Sequence, residues 1–234
     1  MKKLGFLIFG ATLVVGVILA NFTSFGSSAI KSPLSYLFGS KIHGSGNIIS
    51  ETRNTGEFSG VQVGGILNVE IKRAEKLSVV VEADDNIAPN IKTVVKAGVL
   101  KIWSEKSFKS HGRVTVRVTA PNIESIDTSG VANVIFTGVS NESLEIEASG
   151  ASKVELEGTV DSLDVDMSGA SKVKASKLVA ARVEVDGSGA SALAIKVTSA
   201  LRADLSGASS VRYTGDPLEL QKSVSGAGKV RKID

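Results

Sequence analysis

Six Ser-Gly pairs recur through the second half of this chain at nearly constant spacing. Ser129-Gly130, Ser149-Gly150, Ser168-Gly169, Ser188-Gly189, Ser206-Gly207 and Ser225-Gly226 follow one another at intervals of 20, 19, 20, 18 and 19 residues. A period near 20 means one small structural unit stacked on copies of itself, a solenoid rather than a closed globule. Alignment on the serine exposes the columns of the unit. Five residues after it stand Val134, Val154, Val173, Leu193, Val211 and Val230. Five before it stand Leu144, Leu163, Val183, Leu201 and Leu220, and three before it Ile146, Val165, Val185 and Ala203.

Charged residues occupy the positions between, as in Leu163-Asp164-Val165-Asp166-Met167. Alternation of period 2 over four or five residues is the pattern of a half-buried strand. Each repeat therefore supplies two short strands separated by turns. Strands so short bury enough surface only by stacking like on like, about 4.8 Å apart, so that the apolar columns merge into one core. No helix-length apolar pattern separates the copies, which excludes a βαβ layout. The expected fold is all-β, a parallel β-helix-like solenoid with coils of about 19 residues. The glycine column fits a corner that needs positive φ or close backbone approach. The serines, with Ser152, Ser171, Ser191 and Ser209 three residues later, predict two neighbouring hydroxyl ladders along one edge.

Residues 44–120 are less regular. Val63-Gly64-Gly65-Ile66-Leu67-Asn68-Val69 echoes Ser129-Gly130-Val131-Ala132-Asn133-Val134 and predicts a degenerate coil. Ile66 to Ile71 and Leu77 to Val81 read as one hairpin. Lys92 to Val95 and Val99 to Trp103 read as another, turning at Ala97-Gly98. Val114, Val116 and Val118 mark a further strand, stopped by Pro121. This block is expected to cap one end of the solenoid, while Lys229, Arg231 and Lys232 block the other edge with charge.

The N-terminus reads as a targeting segment. Lys2 and Lys3 precede the apolar run Leu4 to Ala20, and residues 1–29 suit either a signal peptide, cleaved after Ala20 or Ala29, or a retained membrane anchor. Residues 30–45 read as a tether, and 46–234 as the solenoid domain. Both alternatives export the domain to the cell envelope, with membrane contact only through an uncleaved N-terminal segment. The chain has no cysteine, which excludes disulfides, thiolate chemistry, cysteine-ligated zinc and a lipoprotein anchor. The formal charge of +3 nearly vanishes once Lys2 and Lys3 are set aside, so nothing points to nucleic acid.

The stretches Phe58-Ser59-Gly60-Val61-Gln62-Val63-Gly64, Val79-Val80-Val81-Glu82-Ala83-Asp84-Asp85 and Gly98-Val99-Leu100-Lys101-Ile102, with the recurrent Ser-Gly-Ala-Ser turns, resemble the bacterial head GIN domain family. That family carries the label putative autotransporter adhesin and is otherwise a domain of unknown function. The resemblance spans about residues 46–232. It implies a right-handed β-helix in the bacterial envelope and offers no catalytic residues to carry over.

One column carries a chemical hypothesis. Two residues before each of five serines stand Asp127, Glu147, Asp166, Asp186 and Asp204, with Glu145, Asp164 and Glu184 two residues earlier on the same outward face. Carboxylates at coil spacing repel by about 1 kcal/mol per pair in water. Either they splay and are screened by Lys153, Lys172, Lys174 and Arg212 reaching round from the next strand, or calcium bridges successive coils. No other cofactor is implied.

A polysaccharide lyase or hydrolase is the alternative from another class, since paired acids on a β-helix suit such chemistry. A uniform ladder lacks the differentiated pair that catalysis uses. The serines lack a base, because the only histidines are His43 in the tether and His111 in a loop. Trp103, on a strand, reads as packing rather than as a sugar platform. The expectation is a non-enzymatic envelope protein that binds a surface polysaccharide or protein. A purely structural envelope role is the third reading.

Overall fold

The computed structural model describes residues 41–234. The expected leader at 1–29 and residues 30–40 of the expected tether lie outside the described residues. The domain itself reaches back before residue 46. Ile42–His43 pairs in parallel with Phe108–Lys109, so the end of the tether is part of the fold.

The repeating half is a stack of parallel coils. Asn133–Ala148, Lys153–Met167, Lys172–Gly187 and Ala192–Leu205 each pair in parallel with the next. The stack ends with Ser210–Thr214, Glu219–Val224 and Lys229–Lys232. The columns read from the sequence are the columns of the stack. Val134, Val154, Val173, Leu193, Val211 and Val230 pair in that order. Leu144, Leu163, Val183, Leu201 and Leu220 do the same. All but Val230 and Leu220, on the last coil, are buried, and each buried aliphatic side chain contributes about 1.5–3 kcal/mol. The sheet edges of that last coil are lined by exposed Lys229, Arg231 and Lys232.

The tight corner holds this register. Its glycines (Gly65, Gly130, Gly150, Gly169, Gly189, Gly207 and Gly226) all have φ between +67 and +88°. The residue after each from Gly130 onward donates its amide to the glycine carbonyl of the coil before, over 2.7–2.9 Å, as from Ala170 to Gly150 and from Ala190 to Gly169. A Cβ on Gly169 would stand 2.6 Å from the Gly150 oxygen. Glycine is thus needed twice over, for the left-handed backbone and for the contact between coils.

The N-terminal block departs from chain order. The coil formed by Gly60–Val63 and Asn68–Arg73 lies between two others. On one side are Ser125–Thr128 and Asn133–Thr137, and on the other Val99–Ile102 and Thr115–Ala120. The degenerate coil is therefore present, and a later stretch of chain, 99–120, stacks beneath it. The expected hairpin of Ile66 to Ile71 with Leu77 to Val81 does not form. Thr115–Ala120 intervenes, parallel to Asn68–Arg73 and antiparallel to Ser78–Asp84. Stacking Val116 and Val118 against Val69 and Ile71 extends the core columns, which a simple hairpin at that place would have ended. The second hairpin is as read, Ile91–Lys96 against Val99–Ser104. Its two turn residues, Ala97 and Gly98, both have positive φ, the conformation of a type I′ turn.

Antiparallel strands close this end: Ile91–Lys96 against Val99–Ser104, and Ser78–Asp84 followed by Ile48–Arg53 against Thr115–Ala120. A polar clasp ties the start of the domain to them. The buried Asp84 carboxylate accepts hydrogen bonds from Gly46 N at 2.7 Å and from Ser110 Oγ. Asp85 accepts from Ser45 Oγ at 2.6 Å and Asn47 Nδ2 at 3.0 Å, and Asn86 Nδ2 donates to the His43 carbonyl at 2.7 Å.

The corner makes a quantitative prediction. Gly169→Ala combines left-handed strain with a backbone clash and should cost about 3 kcal/mol, lowering Tm by about 10 °C. Gly98 has φ +76° and open space within 4 Å of where a Cβ would stand, so Gly98→Ala carries strain alone and should cost about 1 kcal/mol. Circular-dichroism melts of the two variants read the difference, and equal losses would show that the corner contact is slack.

Candidate binding face

The alternation that sends Leu163, Val165 and Met167 inward turns Asp164 and Asp166 outward. Parallel register then does the rest. Asp127 pairs with Glu147, Glu147 with Asp166, Asp166 with Asp186, and Asp186 with Asp204. All five predicted acids thus stand in one row at coil spacing. Glu145, Asp164 and Glu184 form a parallel row beside them. Between the five acids and the corner runs a shallow groove of about 380 Å³, edged by Ser149, Ser168, Ser188 and Ser206.

The lysines do not screen this face as expected. Lys153 and Lys174 both pair with Glu155 on their own strand face, the latter at 3.7 Å, and Lys177 pairs with Glu157 at 3.4 Å. The tight corner separates the two faces, and a nearer acid engages Lys153, Lys174 and Lys177 on their own side of it. Lys172 and Arg212 form no ion pair among the described residues. The basic group that does pair on the acidic face is Arg202, 3.3 Å from Glu184. None of the five acids of the main row has an ion-pair partner among the described residues. Gln62 ends the row, in register with Asp127 and donating its Nε2 to that carboxylate.

Electrostatics follow the geometry. Partial burial, then the carboxylates of Asp127, Glu145 and Asp166, pushes Glu147 above its ordinary range. Partial burial, then Asp166, Glu184, Glu145 and Asp186, does the same to Asp164. Among the described residues no three acidic or histidine side chains converge closely enough to form a metal centre, so calcium would have to draw neighbouring carboxylates closer together. His43 and His111 both lie at the cap, exposed and away from the row.

Of the two hydroxyl ladders expected, only one lies on the surface. Ser152, Ser171, Ser191 and Ser209 are buried. Thr128 Oγ1 donates to Ser152 Oγ at 3.0 Å, and Ser191 Oγ to Ser209 Oγ at 3.1 Å. The parity was available in the sequence, since Ser152 lies two residues before the inward-facing Val154. Trp103, read as packing, instead projects from the outer face of Val99–Ser104 and is 37% exposed. Its position below the serine column depends on the out-of-order coil, which no sequence spacing disclosed.

The repulsion in the row has a sign that can be measured. Glu147 and Asp164 bind protons more readily folded than unfolded, so their penalty is absent below the ordinary values of 4.5 and 3.8 and sets in as pH rises through the higher folded values. Glu147→Gln should therefore raise Tm by about 1–2 °C at neutral pH, and the gain should vanish below about pH 4. A gain that persists in acid would assign it to something other than charge.

Comparison with curated proteins gives no match. Solved structures do match. A putative adhesin from Bacteroides fragilis is 23% identical, over 82% of this chain and 100% of that one, with a TM-score of 0.71. A putative adhesin from Parabacteroides merdae is 17% identical, over 83% and 99%, with a TM-score of 0.53. A protein from Parabacteroides distasonis described as a putative lipid binding protein is 19% identical, over 83% and 100%, with a TM-score of 0.50. These likenesses establish the shared solenoid fold. A family model covers residues 57–217, and the chain belongs to the family it describes, putative auto-transporter adhesin, head GIN domain.

Proposed function

We propose that this protein is an exported, non-enzymatic component of the bacterial envelope that binds a surface polysaccharide along the acid and serine face. The observation that carries this reading is the row Asp127, Glu147, Asp166, Asp186, Asp204, in register and without ion-pair partners among the described residues. A partner with repeated hydrogen-bond donors or amino groups meets such a row at many points at once. Weak single contacts then sum to useful affinity. The same acid and serine unit repeats from coil to coil, and neither His43 nor His111 lies beside it, so the geometry singles out no one acid–base constellation and favours binding over catalysis.

A glycan array probed with the purified protein tests the reading. Binding is expected, strongest to polymers with free amino groups, weaker as salt rises, and about tenfold weaker in the Asp166→Asn/Asp186→Asn double variant. A blank array would move the weight to a protein partner or a structural role. Release of reducing ends from uronic-acid polymers would instead make the protein an enzyme, and none is expected.

The row is taken to work without a resident cation, since among the described residues no three of its side chains converge on one point. The melting temperature should be equal in calcium and in chelator at matched ionic strength. A rise with calcium that Glu147→Gln abolishes would make the row a calcium site.

A further inference from the structure

Seven tight corners share the left-handed glycine, and in six of them the residue before it is serine. The exception is Gly64, before Gly65. Gly64 lacks positive φ, and a Cβ built on it would lie 3.7 Å from Ser129 Oγ and 3.9 Å from Trp103 Cβ, ordinary contact distances. The backbone therefore does not demand glycine here, and serine would fit. Beside Gly64 lies a shallow hollow of about 340 Å³, lined by Gln62, Gly64, Lys101, Ile102, Trp103 and Ser129, into whose wall a serine side chain would project.

The hollow has an aromatic wall and a polar rim. Gln62 Nε2 is committed to Asp127, which leaves Oε1 to accept. The Ser129 hydroxyl both donates and accepts, and Lys101 has no ion-pair partner among the described residues. Lys92, opposite Trp103 in the hairpin, is already paired with Glu105 at 3.3 Å. A pyranose ring has the matching chemistry, with C–H groups on its faces and hydroxyls around its edge. An aromatic face, negative in its quadrupole, attracts such polarised C–H groups. A phosphate ligand would call for more than one free cation.

We propose that this hollow is a monosaccharide subsite, in which the Trp103 indole stacks on one pyranose face while Gln62, Ser129 and Lys101 hydrogen-bond its hydroxyls. The subsite rests on the polysaccharide reading and fixes one end of the polymer. Ser129 opens the outer serine column, so a glycan seated on Trp103 continues along Ser149 and Ser168 beside the acidic row.

Trp103 is the only tryptophan in the chain, so its emission reports the subsite directly. The test is titration of the purified protein with cellohexaose and with chitohexaose, followed by calorimetry and by tryptophan emission. At least one hexasaccharide should give saturable heat and a shift in emission with the same Kd. Trp103→Ala should weaken that binding at least tenfold. Gly64→Ser, which restores the residue the other corners carry, should weaken it comparably with Tm unchanged. Heat with unaltered emission and undiminished affinity in both variants would overturn the subsite and leave the polysaccharide reading standing. So would silence with both hexasaccharides while arrayed polysaccharides bind. No binding in either assay would overturn both.

Discussion

The contact on which everything else depends is the backbone hydrogen bond from the residue after each corner glycine, from Gly130 onward, to the glycine carbonyl one coil below. It places the same point of every coil at the same point of the stack. Once that point is fixed, the period-2 alternation of the strands leaves no freedom. Valine falls on valine inside, and carboxylate falls on carboxylate outside. The like-charge row is thus a direct consequence of the register that builds the core. A one-residue slip would relieve the repulsion but turn Leu163 and Val165 to water, at several kcal/mol per coil. The core wins by a wide margin, and the repulsion persists.

The same reasoning explains what the sequence disclosed. Columns, corner glycines, the Ala97-Gly98 turn and the acidic row all follow from local periodicity, so spacing alone revealed them. The stacking order at the N-terminal end did not follow. Whether Val69 pairs with Val79 or with Val116 is decided by which partner extends the core, and adjacency in sequence favours the wrong one. The Trp103 hollow inherits that difficulty, because Gly64, Trp103 and Ser129 meet only after the coil at 99–120 has stacked beneath the coil at 60–73. The buried serines are a different case. Their parity with Val154 and Val173 is plain in the sequence, and position overrides the preference of a hydroxyl for water.

Carboxylates at the cap and in the middle of the stack meet opposite fates. Hydrogen bonds from Ser110 and Gly46 hold Asp84 below the usual carboxylate range, and those from Ser45 and Asn47 do so for Asp85. Their stabilisation is present above the ordinary value and is lost as pH falls through the folded one. Glu147 and Asp164, facing other acids, are held above the usual range. Acid therefore loosens the clasp while it relaxes the row, and the two local effects oppose each other.

That contrast bears on function. A carboxylate surrounded by donors of its own chain is satisfied and has little left to offer a partner, so Asp84 and Asp85 read as structure. The acids from Asp127 to Asp204 receive no such donors among the described residues apart from Gln62 at one end. Apart from that bond no protein donor meets these carboxylates among the described residues, and a polymer that brings donors at coil spacing would gain contacts while lowering a repulsion the fold already carries. On the proposed polysaccharide reading, the free energy of binding would come in part from the repulsion built into the unbound stack, so that a face costly to the folded chain is the one with most to gain from a partner.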